Sequence, residues 1–216
     1  MLYSIFRLIG LITGYPIQLL LFKRKTFYEG KKNKHTFTGG KLIISNHFNI
    51  LDYVMTSFIV FPKKLCAVSC EHPFRSRIAT FGMKFFGTIK ADRTTKSMRF
   101  MDEGANIIKN GQLLIIYPEG RNTPDGKMHE FFHSYLVIAY RAGCPIVPMI
   151  TDGRYGLFKR ASVIIGEEID VSRFFTPDKR TPSREELSAA NEYVYSKMLY
   201  LQELLEQKKN EGKRKK

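Results

Sequence analysis

The sequence predicts an α/β layer fold, a mostly parallel central sheet flanked by helices, and three observations carry that prediction. Short runs rich in Ile, Val and Leu alternate along the chain with longer amphipathic runs. Gly87, Gly111 and Gly143 each stand where an amphipathic run stops, the usual place of a glycine that ends a helix. With 216 residues, 44% hydrophobic and 25% charged, the chain can build one substantial core. Gly and Pro are too few for a collagenous or low-complexity protein.

Residues 1–22 are almost continuously apolar and would measure about 33 Å as a straight helix. Arg7, the propensity cost of Gly10 and Gly14, and above all Pro16 argue for a broken helix or short helical hairpin lying in one leaflet of a membrane. A single spanning helix and a buried core helix are the alternatives. Positive charge follows the apolar run instead of preceding it, which does not fit a signal peptide and places the rest of the chain on the cytoplasmic face. Strands are expected over 41–45, 64–68, 87–91, 112–117, 145–150 and 161–165, and helices over 53–60, 74–86, 95–110 and 129–142. The last helix is the clearest. Ser183 and Glu186 form a capping box, and Leu187, Ala190, Val194, Met198, Leu201 and Leu205 then mark one apolar face. These divide the chain into an N-terminal membrane-associating segment with its basic block (1–34), a catalytic domain (35–209) and a basic tail (210–216).

The formal net charge is +15, and residues 23–34 and 207–216 each contribute +5 of it. Charge concentrated in two flanks suits an anionic bilayer surface, and no nucleic-acid partner is expected, since a nucleic-acid groove spreads basic residues among stacking aromatics. Cys66, Cys70 and Cys144 form neither a disulfide framework nor a zinc knuckle and are expected as free thiols.

The chemistry gathers at strand ends. Asn46-His47-Phe48-Asn49-Ile50-Leu51-Asp52 follows the first of these strands and enters a helix. Five positions apart is about 140° around a regular helix, so His47 and Asp52 can pair only if His47 lies in the turn and Asp52 in the first helical turn. Paired so, the carboxylate fixes the imidazole tautomer and the ring can serve as general base. Arg93 ends Gly87-Thr88-Ile89-Lys90-Ala91-Asp92-Arg93, and Arg121 lies in Tyr117-Pro118-Glu119-Gly120-Arg121. In a parallel sheet these loops share one edge with His47, where two arginines suit a phosphate.

Four blocks in order, N-H-x-x-x-x-D at 46–52, G-x-I-x-x-D-R at 87–93, P-E-G at 118–120 and P-I-V-P at 145–148, make the chain resemble the glycerophospholipid acyltransferase family, of the 1-acylglycerol-3-phosphate O-acyltransferase kind. The resemblance implies that family's fold and transfer of a fatty acyl group from acyl-CoA or acyl-carrier protein, as co-substrate, to a lysophospholipid hydroxyl. No metal or other cofactor is implied. It makes His47 the base and Asp52 its orienting partner, puts Asn46, Arg93, Glu119, Gly120 and Arg121 at the acceptor, and has Pro148 wall the acyl or acceptor pocket. The family's third block usually reads E-G-T-R-S, so Arg121 stands one place early; a different lysolipid or polar-lipid acceptor is the alternative.

One competing motif is present. His129-Glu130-Phe131-Phe132-His133 spells H-E-x-x-H, which on the expected helix would set both histidines on one face as in zinc peptidases. A catalytic zinc needs a third ligand, and none is marked by the sequence. Nucleophile elbow, Walker loop and dinucleotide fingerprint are all missing, so direct attack by the acceptor, without a covalent acyl-enzyme, is expected.

Overall fold

Short buried runs of branched residues build the centre of the molecule. The computed structural model describes residues 2–31, 36–70, 87–91, 99–177, 179 and 181–214. Strands β1 (Lys25–Tyr28), β2 (Lys41–Ser45), β3 (Leu65–Cys70), β4 (Thr88–Ala91), β5 (Leu113–Ile116), β6 (Ile146–Thr151) and β7 (Ser162–Ile165) form one sheet in the order β1-β7-β6-β2-β5-β3-β4. Every pairing is parallel except β6 with β7. All four residues of β5, Leu113 to Ile116, are buried, as a strand covered on both faces requires.

The two faces carry different helices, described as α1 (Leu2–Phe22), α2 (Leu51–Ile59), α3 (Arg99–Lys109), α4 (Ser134–Ala142) and α5 (Arg184–Arg214). Ile43, Ile115, Val147 and Met149 turn to one face, where Phe22 of α1 and Tyr53, Met55 and Phe58 of α2 close over them. Leu42, Leu114, Ile146 and Ile150 turn to the other and meet α3, α4 and α5. The stripe on α5 packs as its spacing predicts: Ala190, Val194, Met198, Leu201 and Leu205 are all buried. Its capping box is made, with Glu186 N–H on Ser183 Oγ at 3.2 Å and Ser183 N–H on Glu186 Oε2 at 2.6 Å.

Several expectations change. The N-terminal segment is one continuous helix with Pro16 inside it, not a broken helix or hairpin. A narrow stripe through Leu11, Gly14, Gln18 and Phe22 faces the protein; Gly14 lets α1 come close to the Phe58 ring of α2. That packing holds the helix through a proline whose cost is about 3 kcal/mol. Among the described residues no helix is long and apolar enough to cross a membrane. Strand β1 lies inside the basic block, and α5 runs on to Arg214, into the expected tail. The helix expected over 129–142 begins only at Ser134. The helix expected over 74–86 lies outside the described residues.

Candidate active site

Chain order and sheet order reverse around β2: β5 lies on one side of it and β6 on the other. Loops leaving the carboxyl ends of β2, β5 and β6 therefore converge, as ligand sites in such sheets do. His47 comes from the first loop, Tyr117 to Thr123 from the second and Tyr155 from the third.

Asp52 is the anchor. It lies in the first turn of α2, only 1% exposed, and donors surround it. Its Oδ2 accepts the Phe48 N–H at 2.7 Å and the Asn49 N–H at 2.8 Å, and lies 2.9 Å from His47 Nδ1. Its Oδ1 accepts the Tyr155 hydroxyl proton. Thr151 Oγ1 then serves as donor to the Tyr155 oxygen at 3.1 Å, because the tyrosine's single proton is committed. A carboxylate filled by donors needs His47 Nδ1 to carry its proton, which leaves the Nε2 lone pair on the far side of the ring. The carboxylate thus orients the ring and leaves Nε2 free of this contact.

The ring itself is clamped. Tyr117 stacks on it with centroids 3.9 Å apart and planes 12° from parallel. Thr123 holds the His47 carbonyl through its N–H at 2.7 Å and its hydroxyl at 3.2 Å. The turn between them needs Gly120, which has φ of 63° and donates its N–H to the Tyr117 carbonyl at 3.0 Å. Phe48 fills the space beside Gly153, where a Cβ would fall 2.4 Å from its ring. Burial pushes the Tyr155 hydroxyl far above the usual phenol range, and the Asp52 charge pushes it further; it stays a donor. Tyr117 is raised for the same two reasons.

Glu119 is buried in the same turn. Its Oε2 accepts the His129 N–H at 2.8 Å, while its Oε1 has no partner among the described residues. Burial raises its pKa above the usual carboxylate value, against the pull of the His129 N–H and of Arg121. The H-E-x-x-H segment departs from expectation. Residues 129–132 are not helical; the His129 N–H goes to Glu119 and the Phe132 N–H to the Pro118 carbonyl at 2.9 Å, which ties the segment to the Glu119 turn. The two histidines do not share a helix face, and no group of three metal-ligating side chains occurs among the described residues.

The profile of the acyltransferase family matches residues 25–152, which is more than half of the chain. The chain belongs to the acyltransferase family. It is 25% identical over 192 residues to a 1-acyl-sn-glycerol-3-phosphate acyltransferase of Cocos nucifera, an alignment covering 87% of this chain. The chain spans 59% of that relative's length. The crystal structure of the 1-acyl-sn-glycerophosphate acyltransferase PlsC from Thermotoga maritima superposes with a TM-score of 0.52 at 19% identity, covering 83% of this chain and 73% of that one. At that identity the likeness concerns the fold, the same sheet flanked by helices.

The other expected site residues are placed unevenly. Asn46 is buried, and its amide is engaged on both sides by the Thr151 backbone, with Nδ2 2.9 Å from the carbonyl and Oδ1 2.9 Å from the N–H. It clips the end of β2 to the end of β6. Arg121 is exposed at the rim of the Glu119 turn. Pro148 lies on the same face of β6 as Ile146 and Ile150, packed toward Gly166 and Leu201, the face opposite α2. Arg93 lies outside the described residues; β4, the strand before it, is the edge strand of the sheet. Tyr155, Thr151, Tyr117 and Thr123 were not expected. Tyr155 is 103 positions from Asp52, so no local spacing couples them.

Proposed function

We propose that this acyltransferase moves a fatty acyl group from an acyl-CoA or acyl-carrier-protein thioester to the hydroxyl of a lysophospholipid, with 1-acylglycerol 3-phosphate as acceptor and phosphatidic acid as product. The observation that carries the proposal is the 2.9 Å pairing of His47 Nδ1 with Asp52 and the Nε2 it leaves open. The acceptor hydroxyl gives its proton to Nε2 as its oxygen attacks the thioester carbonyl, and Asp52 stabilises the imidazolium. The tetrahedral intermediate then breaks its C–S bond. The thiol leaves with the proton returned from Nε2, giving an ester and free thiol.

A mostly apolar cavity of about 270 Å³ between α1 and α2, lined by Leu11, Leu21, Phe22, Val54 and Phe58 with the polar Gln18 and Ser57, suits an acyl chain. Glu119 and the exposed Arg121 belong to the loop that stacks Tyr117 on His47, and they serve the acceptor. The outer face of α1, with Ile5, Ile9, Ile12, Ile17 and Leu20 exposed, suits a helix resting in one leaflet on the cytoplasmic side, where both lipid substrates are held. The name of the Cocos nucifera relative supports the choice of acceptor.

The test is acyl transfer from labelled acyl-CoA and from acyl-carrier protein to a panel of lysophospholipids and glycerol 3-phosphate. Product is expected with 1-acylglycerol 3-phosphate, and His47→Ala should lower the rate by about 100-fold to 10,000-fold. A variant with undiminished turnover overturns the mechanism, and product only with another headgroup overturns the acceptor.

A further inference from the structure

The loop that delivers Tyr155 to Asp52 does something unusual immediately afterwards. Leu157 and Phe158 form the tip of a turn, and Phe158 is 99% exposed and Leu157 59% exposed. The next two residues, Lys159 and Arg160, are exposed cations. A large aromatic side chain wholly in water loses the burial free energy that such a group normally gains, and a phenylalanine at a turn tip touches nothing to compensate.

The turn is not loosely attached. Lys159 N–H closes it on the Gly156 carbonyl at 3.1 Å. On either side it is bound to the end of α1, through Gly156 N–H on the Leu21 carbonyl at 3.0 Å and Ala161 N–H on the Phe22 carbonyl at 2.8 Å. Phe22 in turn packs edge-to-face on Tyr155, with centroids 5.4 Å apart. The apolar tip, the end of α1 and the Asp52 carboxylate are therefore joined through backbone hydrogen bonds and the Tyr155 ring.

We propose that the turn at 156–160 is a second bilayer contact, in which Leu157 and Phe158 insert among the acyl chains of an anionic membrane while Lys159, Arg160 and the exposed Lys23 meet its headgroups. The inference rests on the lipid-substrate assignment above and extends it. Charge complementarity selects the partner: cations ring the apolar tip, and the leaflet surface is negative. Geometry supplies the purpose. α1 presents apolar side chains around most of its circumference, so the helix alone can lie on a membrane with many rolls about its axis. A second insertion point beside its C-terminal end removes that freedom and fixes how the His47 crevice faces the leaflet.

The chain contains no tryptophan, so Phe158→Trp gives a single reporter at the tip of this chain. Vesicles of phosphatidylglycerol and phosphatidylcholine should shift its emission to the blue, and lipid brominated on the acyl chain should quench it. In co-sedimentation, the double variant Leu157→Ser, Phe158→Ser should partition at least about tenfold more weakly, with an unchanged melting transition. Emission that stays at the value for water with vesicle-bound protein overturns the proposal. So does a blue shift that grows with protein concentration in the absence of vesicles, which would assign the tip to a second copy of the chain. Transfer to a water-soluble short-chain lysophospholipid is measured alongside. Transfer by a Phe158→Trp protein whose indole stays in water removes the bilayer contact alone. An indole embedded in lipid without transfer removes the catalytic assignment alone.

Discussion

Replacing Tyr155 with Phe deletes one oxygen atom and tests how the His47–Asp52 pair is held. The Tyr155 hydroxyl donates to Asp52 Oδ1, whereas the Phe48 N–H, the Asn49 N–H and His47 Nδ1 all sit on Oδ2. The Tyr155→Phe substitution would leave a buried carboxylate oxygen bare and take the acceptor from Thr151 Oγ1. A hydrogen bond to a charged group contributes about 1.5–3 kcal/mol. For a chain of this size that is a fall in melting temperature of about 3–12 °C. If the lower part of that energy is expressed in the orientation of His47, kcat falls about tenfold. Tyr155 is a positioning residue and does not touch substrate in this scheme, so KM should stay near the wild-type value. The assay is steady-state acyl transfer with varied acceptor, beside calorimetric melting. A Tyr155→Phe enzyme with wild-type kcat and melting temperature would refute the reasoning, because the two backbone amides would then suffice to hold Asp52.

Two further substitutions probe buried polar atoms. Burial raises the Glu119 pKa, so the folded state holds that proton more tightly than the unfolded chain. The stability from this group is full below the unfolded carboxylate range, about pH 4.3, and is lost as pH rises through the folded value. Glu119→Gln keeps an acceptor for His129 N–H and should remove that decline, and melting curves of the two proteins that run parallel from about pH 4 to about pH 8 would contradict it. Gln18 lies buried on the inner stripe of α1 with neither amide atom partnered among the described residues. Gln18→Leu should stabilise the protein by about 1–3 kcal/mol, read as a rise of a few degrees in melting temperature; a fall would mean that a bound molecule partners the amide.

How much of this was legible follows the range of each interaction. The capping box of α5 and its apolar stripe are contacts three and four positions apart, and spacing alone shows them. His47 and Asp52 are also local, separated by one turn entering one helix. Strand β1 was not legible, because a four-residue edge strand, Lys25–Tyr28, carries the charge natural to an edge and reads as part of a basic run. The H-E-x-x-H segment misled in another way: its spacing fits a helix, but residues 129–132 are not helical and are tied to the Glu119 turn by contacts ten and fourteen positions back, which local spacing does not show. Pro16 misled in the opposite direction, since propensity argues for a break and tertiary packing onto Phe58 overrides it.

Tyr155 shows where sequence reasoning ends and topology has to take over. What brings it to Asp52 is the position of β6 next to β2, with Asn46 clipping the two strand ends together through Thr151. Asn46 is therefore placed to act on the His47–Asp52 pair through the strand ends it joins. It fixes the register from which the third loop departs, and that register delivers the tyrosine to the carboxylate and the Phe158 tip to the end of α1. The asparagine beside His47 thus links the His47–Asp52 pair to the loop that carries the Phe158 tip. Asn46→Ala should disturb Asp52, the Tyr155 loop and the tip together, read as a lower kcat, a lower melting temperature and weaker vesicle partition. Tyr155→Phe should leave the partition unchanged, and a loss of partition in both variants would break the distinction.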